Sequence, residues 1–424
     1  MQTHTLLMIL NLAIAGLFAL CYFNQFFYIF VALFKKDPPH KAEAVPHRFA
    51  VLIAARNEAG VIGNLIDSLN AQDYPRELFD IFIGADNCTD DTARVGAAHG
   101  AVVYERRDTE HLGKGYVLDF LLSSIDRDYG KGHYDAYLVF DADNLVTQNY
   151  LTEINKTFSD GYRVVTSYRN TQNYGDSWLS AGSGLWFLRD SRYLNGSRQK
   201  LGACCFVSGT GYLFSREIKE TCGGFPFHLL TEDAELTAYL SLAGETIGYC
   251  PTAEFFDEQP ATFKASVRQR TRWVQGGVQV FRRYGRRLLR GIFTKRFLTF
   301  YDFSFCMAPA YILSLLATAA NTVCLILGAV TGDFFPTLLQ TGLLLFACYL
   351  FLLFYGLVAT VSERKKIHAP TGKKILGVFT FPLFMISYIP ACLAAVFKKR
   401  EWVPVEHNSV ASVEDLPCPK TKKE

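Results

Sequence analysis

Asp141-Ala142-Asp143 sets two carboxylates two positions apart at the end of an apolar run. Alternate residues of an extended strand face opposite ways, but a turn beginning at Asp141 lets both side chains converge. Two hard oxygen ligands suit Mg²⁺ or Mn²⁺ shared with a diphosphate, because such ions take a few carboxylates plus phosphate oxygens. A solvated turn closing a strand is the plainer reading. The buried run before the pair, and the lack of a Gly-x-Lys-Ser/Thr phosphate loop upstream, favour the metal. Thr231-Glu232-Asp233 opens a segment of helical character, Ala234–Leu242. Thr231 can cap that helix and the acidic pair complements its dipole. The chemical reading makes Asp233 a general base that takes a proton from an attacking hydroxyl.

Gln269-Arg270-Thr271-Arg272-Trp273 lies in a basic segment running from Arg268 to Arg287. On a helix Gln269 and Trp273 are one turn apart, with Arg272 beside them. Arginine can stabilise a departing diphosphate, and tryptophan can stack on a sugar ring through its apolar face. A membrane-surface helix with interfacial Trp and lipid-facing cations has the same composition. Gly113-Lys114-Gly115 fits either a basic loop near phosphates or a surface turn.

The elements that must position these groups alternate. Phe49–Ala55 is a continuous apolar run, the pattern of a strand buried on both faces, and it ends in Arg56-Asn57-Glu58. Val61–Asn70 has helical spacing. Phe79–Ala85 is a second strand ending in Asp86-Asn87, Asp90–His99 a helix, Ala101–Tyr104 a third strand, Tyr116–Ser124 a helix and Ala136–Phe140 a strand. This rhythm predicts an α/β fold with a mostly parallel sheet and helices on both faces. Ligands bind beyond the carboxyl ends of such strands, where the polar clusters fall.

Around this core the chain is apolar. Half of its 424 residues are hydrophobic and only 20% are charged, while the net charge of +3 gives no reason to expect a nucleic-acid partner. Leu6 to Phe34 carries no charge and stops at Lys35-Lys36. As a helix it rises about 40 Å, more than the ~30 Å of a bilayer core and longer than the apolar part of a signal peptide. Phe303–Thr331 and Leu338–Val361 are long enough to span as well. Ile375–Phe397 is interrupted by Pro382 and Pro390 and reads either as a re-entrant segment or as a fourth crossing. Lys35-Lys36, Arg364-Lys365-Lys366 and Lys373-Lys374 put the soluble part and these loops on the cytoplasmic side. A fourth crossing would leave Lys398-Lys399-Arg400 outside, against that rule. The predicted protein is thus a multi-pass cell-membrane protein with three or four spans. Of the 11 cysteines, five lie in apolar stretches, five in the domain assigned to the cytoplasm and one in the polar tail, so neither disulfides nor structural zinc are expected.

In this order and beside a membrane anchor, Asp-x-Asp, Thr-Glu-Asp and Gln-x-x-Arg-Trp resemble the membrane-bound inverting family 2 glycosyltransferases, which include cellulose, chitin, hyaluronan and poly-N-acetylglucosamine synthases. The resemblance covers roughly Phe49 to Gly276. It implies a nucleotide-sugar domain of the GT-A type flanked by transmembrane helices. It further implies that Arg56, Asn57, Glu58 and Asp86 hold the nucleoside, although Ala85 replaces the usual preceding acid. Lys114 would approach the diphosphate, Asp141 and Asp143 would carry the donor diphosphate and Mg²⁺ or Mn²⁺, and Asp233, beside Glu232, would be the base. Gln269, Arg272 and Trp273 would line the acceptor and leaving-group site.

The domains expected on this basis are an anchor (1–36), a GT-A domain (37–260), an interfacial segment (261–302), a membrane region (303–397) and a polar cytosolic tail (398–424). Two departures bear on the product. Phe206-Val207-Ser208-Gly209-Thr210 stands where cellulose synthases carry Phe-Phe-Cys-Gly, so Ser208, Gly209 and Thr210 face the acceptor but cellulose itself is disfavoured. No cellulose-type gating loop follows, and three or four spans are few for an export tunnel, which an oligomer or partner subunit would have to complete. The expected reaction transfers a sugar from a UDP-sugar to a growing β-linked polysaccharide. The alternative is a single transfer to a membrane lipid, as in ceramide- or diacylglycerol-type glucosyltransferases.

Overall fold

The computed structural model describes residues 2–306 and 309–397. The expected tail from Lys398 onward lies outside the described residues. The chain divides into two compact units. One contains a sheet and draws on Val31–Asn173 and Phe187–Gln259; the other is helical and draws on the first 30 residues, Tyr174–Trp186 and the described residues from Pro260 onward.

The sheet unit has eight strands among the described residues: β1 (Phe49–Ala55), β2 (Phe79–Asp86), β3 (Val102–Arg106), β4 (Ala136–Asp141), β5 (Leu145–Val146), β6 (Val164–Thr171), β7 (Tyr212–Ser215) and β8 (Ile247–Asp257). Their order is β3-β2-β1-β4-β7-β6-β8-β5. The half read from the sequence, β3-β2-β1-β4, is all parallel, and helices connect its strands. Beyond β4 the sheet is mixed: β7 runs antiparallel to both β4 and β6, β6 is parallel to β8, and β5 is antiparallel to β8. β7 has only four residues, too short to show a period.

Register sets the site. Ala54 pairs with Gly84 on one side and Asp141 on the other, and Asp86 pairs with Arg106. The carboxyl ends of β1, β2, β3 and β4 therefore finish level, and their polar clusters share one edge. β1 packs its apolar residues on both faces, with Phe49, Val51, Leu52 and Ile53 wholly buried. A Cβ on Gly115, in the first turn of the helix Lys114–Tyr129, would sit 1.9 Å from the Phe227 carbonyl oxygen. Glycine there lets the start of that helix close onto the 227–228 segment.

The helical unit contains four stretches long and apolar enough to cross a membrane: Thr3–Phe34, Pro309–Thr331, Phe334–Ser362 and Thr371–Phe397. The first runs antiparallel to the chain between 302 and 333. His4 N–H donates to Asp333 Oδ2 (2.8 Å), Asn321 Nδ2 donates to Asn11 Oδ1 (2.9 Å) and Tyr28 Oη donates to Asp302 Oδ2 (3.1 Å). Polar pairs of this kind fix register between apolar helices that dispersion alone would leave free to slide.

The stretch expected at Phe303–Thr331 begins differently. A separate helix, Phe297–Cys306, precedes Pro309–Thr331. Ile375–Phe397 is broken as expected, but not at its prolines. Pro382 lies inside the helix Thr371–Ile386 and Pro390 in the first turn of Tyr388–Phe397, where a missing N–H costs little. The break falls at Ser387. There Arg270 Nη1 donates to Phe384 O (3.1 Å) and to Ser387 Oγ (2.8 Å), and its guanidinium lies 4.7 Å from the ring centroids of both Phe384 and Tyr388.

Candidate functional site

The edge at the carboxyl ends of β1 and β2 is built on two left-handed turns. Asn57 and Asn87, at the ends of β1 and β2, are the two non-glycine residues with left-handed backbone among those described (φ 59° and 51°). Asparagine tolerates that conformation because its short amide bonds locally. Asn57 Oδ1 accepts from Thr89 N (2.8 Å), and the Asn87 side chain bonds Asp108 through both its N–H (2.8 Å) and its oxygen (3.0 Å). Arg56 and Glu58 flank the first turn, both half-buried. Asp86 is buried and pairs with Arg106 Nη1 at 2.6 Å. Arg106 also donates to Asp108 (2.8 Å), whose carboxyl is held down at about 2 by the backbone N–H groups of His111 and Glu110. Sequence reasoning missed Arg106. Its signal was the register, which pairs it with Asp86, and register is not legible in one strand alone.

Asp141 ends β4 and a turn starts after it, as the convergence of the pair requires. Its Oδ1 accepts from Lys114 Nζ at 2.5 Å, and the same ammonium donates to the Gly209 carbonyl at 2.7 Å. Lys114 therefore joins the Asp-x-Asp turn to the Ser-Gly-Thr loop. The Asp141 N–H donates to Thr210 Oγ1 (2.9 Å), and the Thr210 hydroxyl donates to Asn144 Oδ1. Asp143 is half-buried and accepts from Glu258 N (3.3 Å) and Asn144 Nδ2 (3.2 Å). No group of three His, Cys, Asp or Glu able to hold a metal occurs among the described residues. Two carboxylates, with the remaining positions left to phosphate oxygens and water, fit the Mg²⁺ or Mn²⁺ pattern and not an all-protein cage.

The third group faces the same cluster. Thr231 occupies the N-cap position of Glu232–Leu242, yet its hydroxyl makes no capping bond and is buried without a partner. The expected cap is thus absent, which leaves the acidic pair as the notable feature of that turn. Glu232 is pushed up to about 7 by burial and by the adjacent Asp233, with Lys114 opposing. A Cβ placed on Gly209 would lie 3.6 Å from Asp233 Oδ2, so Asp233 borders the Ser-Gly-Thr loop. Beneath them Tyr212 is wholly buried and its hydroxyl has no partner. Burial, with Glu232, Asp233 and Asp141 nearby, holds its phenol well above the ordinary value.

The loop itself is tied from below. Arg169 Nη1 donates to the Ser208 carbonyl (2.7 Å) and to Ser208 Oγ (3.2 Å), while Arg169 Nε donates to Asp257 Oδ2 (2.8 Å). Its guanidinium lies 3.6 Å from the Phe187 ring centroid. Asp257 is buried, and burial pushes its carboxyl up against the pull of Arg169. Gln259 Nε2 donates to the same oxygen (2.7 Å). Neither Arg169 nor Asp257 sits in a recognisable motif, so only the fold reveals them.

The sheet unit thus brings together Asp141, Lys114, Ser208, Gly209, Thr210, Glu232 and Asp233, with Asp143 beside Asp141 and with Arg56, Glu58 and Asp86 along the same strand edge. Gln269, Arg272 and Trp273 belong to the helical unit. There they lie on the helix Phe263–Gly291, one turn apart as expected and half-buried.

The family description "Glycosyltransferase like family 2" matches residues 46–276, more than half of the chain. A beta-monoglucosyldiacylglycerol synthase of Nostoc sp. is 26% identical over 383 residues, covering 84% of this chain and 76% of that protein. A poly-beta-1,6-N-acetyl-D-glucosamine synthase of Staphylococcus aureus is 26% identical over 263 residues, 58% of each chain. The chain spans from about half to three quarters of the length of curated relatives such as these. Among solved structures, a mannosyltransferase of Pyrobaculum calidifontis, in complex with GDP-Man and Mn²⁺, superposes with a TM-score of 0.58 at 18% identity, over 93% of this chain and 99% of that one. At that identity the likeness establishes a GT-A-like fold.

Proposed function

The chain belongs to glycosyltransferase-like family 2, and from that premise we propose that it transfers a sugar, with inversion, from a UDP-sugar to an acceptor hydroxyl at the membrane. The observation that carries this reading is the pair of hydrogen bonds by which Lys114 joins Asp141 to the Gly209 carbonyl, on the loop that Asp233 borders.

In this reading Arg56, Asn57, Glu58 and Asp86 receive the nucleoside. A divalent cation held by Asp141 and Asp143 would neutralise charge on the departing diphosphate. Lys114 brings a further positive charge to the same place. Glu232 and Asp233 cannot both ionise cheaply side by side, and burial with the adjacent Asp233 raises Glu232, so in this reading Asp233 is the ionised partner. Asp233 then takes the proton of the acceptor hydroxyl, whose oxygen attacks the anomeric carbon opposite the leaving diphosphate. An α-linked donor gives a β-linked product. Gln269, Arg272 and Trp273 are assigned to the acceptor and leaving group on their motif alone. The positive-inside pattern supports a cytoplasmic catalytic unit.

For the acceptor, a membrane lipid hydroxyl is the reading with the longer match, since the Nostoc protein aligns across the helical region as well. A growing polysaccharide is the second, supported by the match to the Staphylococcus aureus protein over the catalytic region. Product mass separates them. Detergent-solubilised protein is incubated with UDP-sugars, Mg²⁺ or Mn²⁺ and membrane lipid. One hexose added to a lipid supports the first reading and a ladder supports the second. No product from any nucleotide sugar, with UDP binding also absent, would contradict both.

A further inference from the structure

The helix Phe263–Gly291 changes character after Gln-x-x-Arg-Trp. Its second half buries Val280, Tyr284, Gly285, Leu288 and Gly291 and exposes Arg282, Arg286, Arg287 and Arg290. At 100° per residue these four cations, with Arg283 among them, cover one face opposite the buried one. Lys295, four residues past the helix, is exposed as well. No Asp or Glu occurs between Glu258 and Asp302. Arg282, Arg286, Arg287, Arg290 and Lys295 make no ion pair among the described residues. Such a concentration of like charge repels itself and raises local potential unless something anionic lies against it.

Two further observations identify that anionic surface. Phe293 is 91% exposed and Phe297 51% exposed, immediately past the cationic face, so large aromatics stand where charge and water would otherwise be expected. Phe297 starts the helix Phe297–Cys306, whose Asp302 accepts from Tyr28 Oη. Tyr28 lies six residues from the end of the membrane-length helix Thr3–Phe34, a distance of roughly 9 Å along its axis. The helix that Phe297 starts, directly after the cationic face in the chain, is thus anchored near the end of that membrane-length helix.

We propose that the face formed by Arg282, Arg286, Arg287 and Arg290, with Lys295 past its end, binds anionic phospholipid headgroups of the surrounding bilayer, with Phe293 and Phe297 inserted beneath them. Guanidinium groups pair with phosphate through forked hydrogen bonds, and interfacial aromatics anchor the apolar side. The association is independent of which acceptor the catalytic unit uses. It selects anionic over zwitterionic lipid around this helix.

The test uses the full chain carrying Phe293→Trp in nanodiscs of phosphatidylcholine. These contain equal fractions of either brominated phosphatidylglycerol or brominated phosphatidylcholine, and the native tryptophan signal is subtracted. Quenching by the anionic lipid should exceed that by the zwitterionic one about two-fold or more, and about 1 M salt should abolish the excess. Arg286→Gln/Arg287→Gln/Arg290→Gln should abolish it at low salt. Should that triple variant misfold, the salt titration on the parent chain still decides. Equal quenching by both lipids at low salt, or an excess that survives high salt, overturns the proposal.

Discussion

Each unit holds cations out of water, and some of them are held in contrasting ways. In the sheet unit three cations with little exposure are matched to carboxylates: Arg106 with Asp86, Lys219 with Asp126 and Arg169 with Asp257. In the helical unit Arg270 is just as buried, but its hydrogen-bond partners are carbonyls, a serine and two aromatic faces, and one of its Nη groups has no partner. Burial without a carboxylate pushes its guanidinium down from the ordinary value. On the proposed function, matched pairs preorganise a surface that would meet phosphate with little rearrangement. Unmatched cations hold helices by neutral contacts and, at the surface, remain open to lipid.

That contrast yields ranked expectations. Arg169→Met leaves Asp257 buried and unpaired beneath the Ser208 carbonyl, so it should destabilise the protein by about 3–5 kcal/mol, read from denaturant unfolding of the sheet unit. A loss below about 1 kcal/mol would mean the pair is not the support it resembles. Lys114→Gln should weaken UDP binding by about 10- to 100-fold, since a charged hydrogen-bond donor is worth roughly 1.5–3 kcal/mol, and calorimetry would measure it. An unchanged Kd would remove Lys114 from the donor site.

Glu232 provides a pH signature. Its folded value, about 7, lies above the ordinary 4.5, so the folded state binds the proton more tightly than the unfolded chain. The contribution it makes is full at acid pH and is lost as pH rises through the window from 4.5 to about 7. Glu232→Gln should flatten the fall in Tm between about pH 5 and about pH 8. An identical slope in both proteins would deny the raised value. Arg270→Met sits lowest on the scale. It orphans only neutral groups, Phe384 O and Ser387 Oγ, and should cost about 1 kcal/mol. A loss as large as that for Arg169→Met would erase the contrast between the units.

How much was legible follows the same division. Asp141, Lys114 and Asp233 announced themselves because each stands in a short motif beside a periodic element, and the parallel half of the sheet was readable from its alternation. Arg106, Arg169 and Asp257 were not, because their importance comes from partners 20 and 88 residues away in sequence. Sequence contains the charges but not the register that pairs them. In the membrane region the prolines drew attention to Pro382 and Pro390, while the break came at Ser387, where Arg270 stabilises the freed Phe384 carbonyl. Composition located the apolar stretches; the end of a helix depends on which neighbour can accept its unpaired groups.

In the proposed mechanism Asp233 takes the acceptor proton, a role separable from holding the donor. Asp233→Asn keeps the side-chain volume and removes the base. UDP affinity by calorimetry and sugar transfer should be measured on one preparation of this variant and of the parent. Binding within a few-fold of the parent, with transfer reduced about 10²–10⁴-fold, is the predicted result. Transfer near the parent rate, or UDP binding lost together with activity, would contradict it.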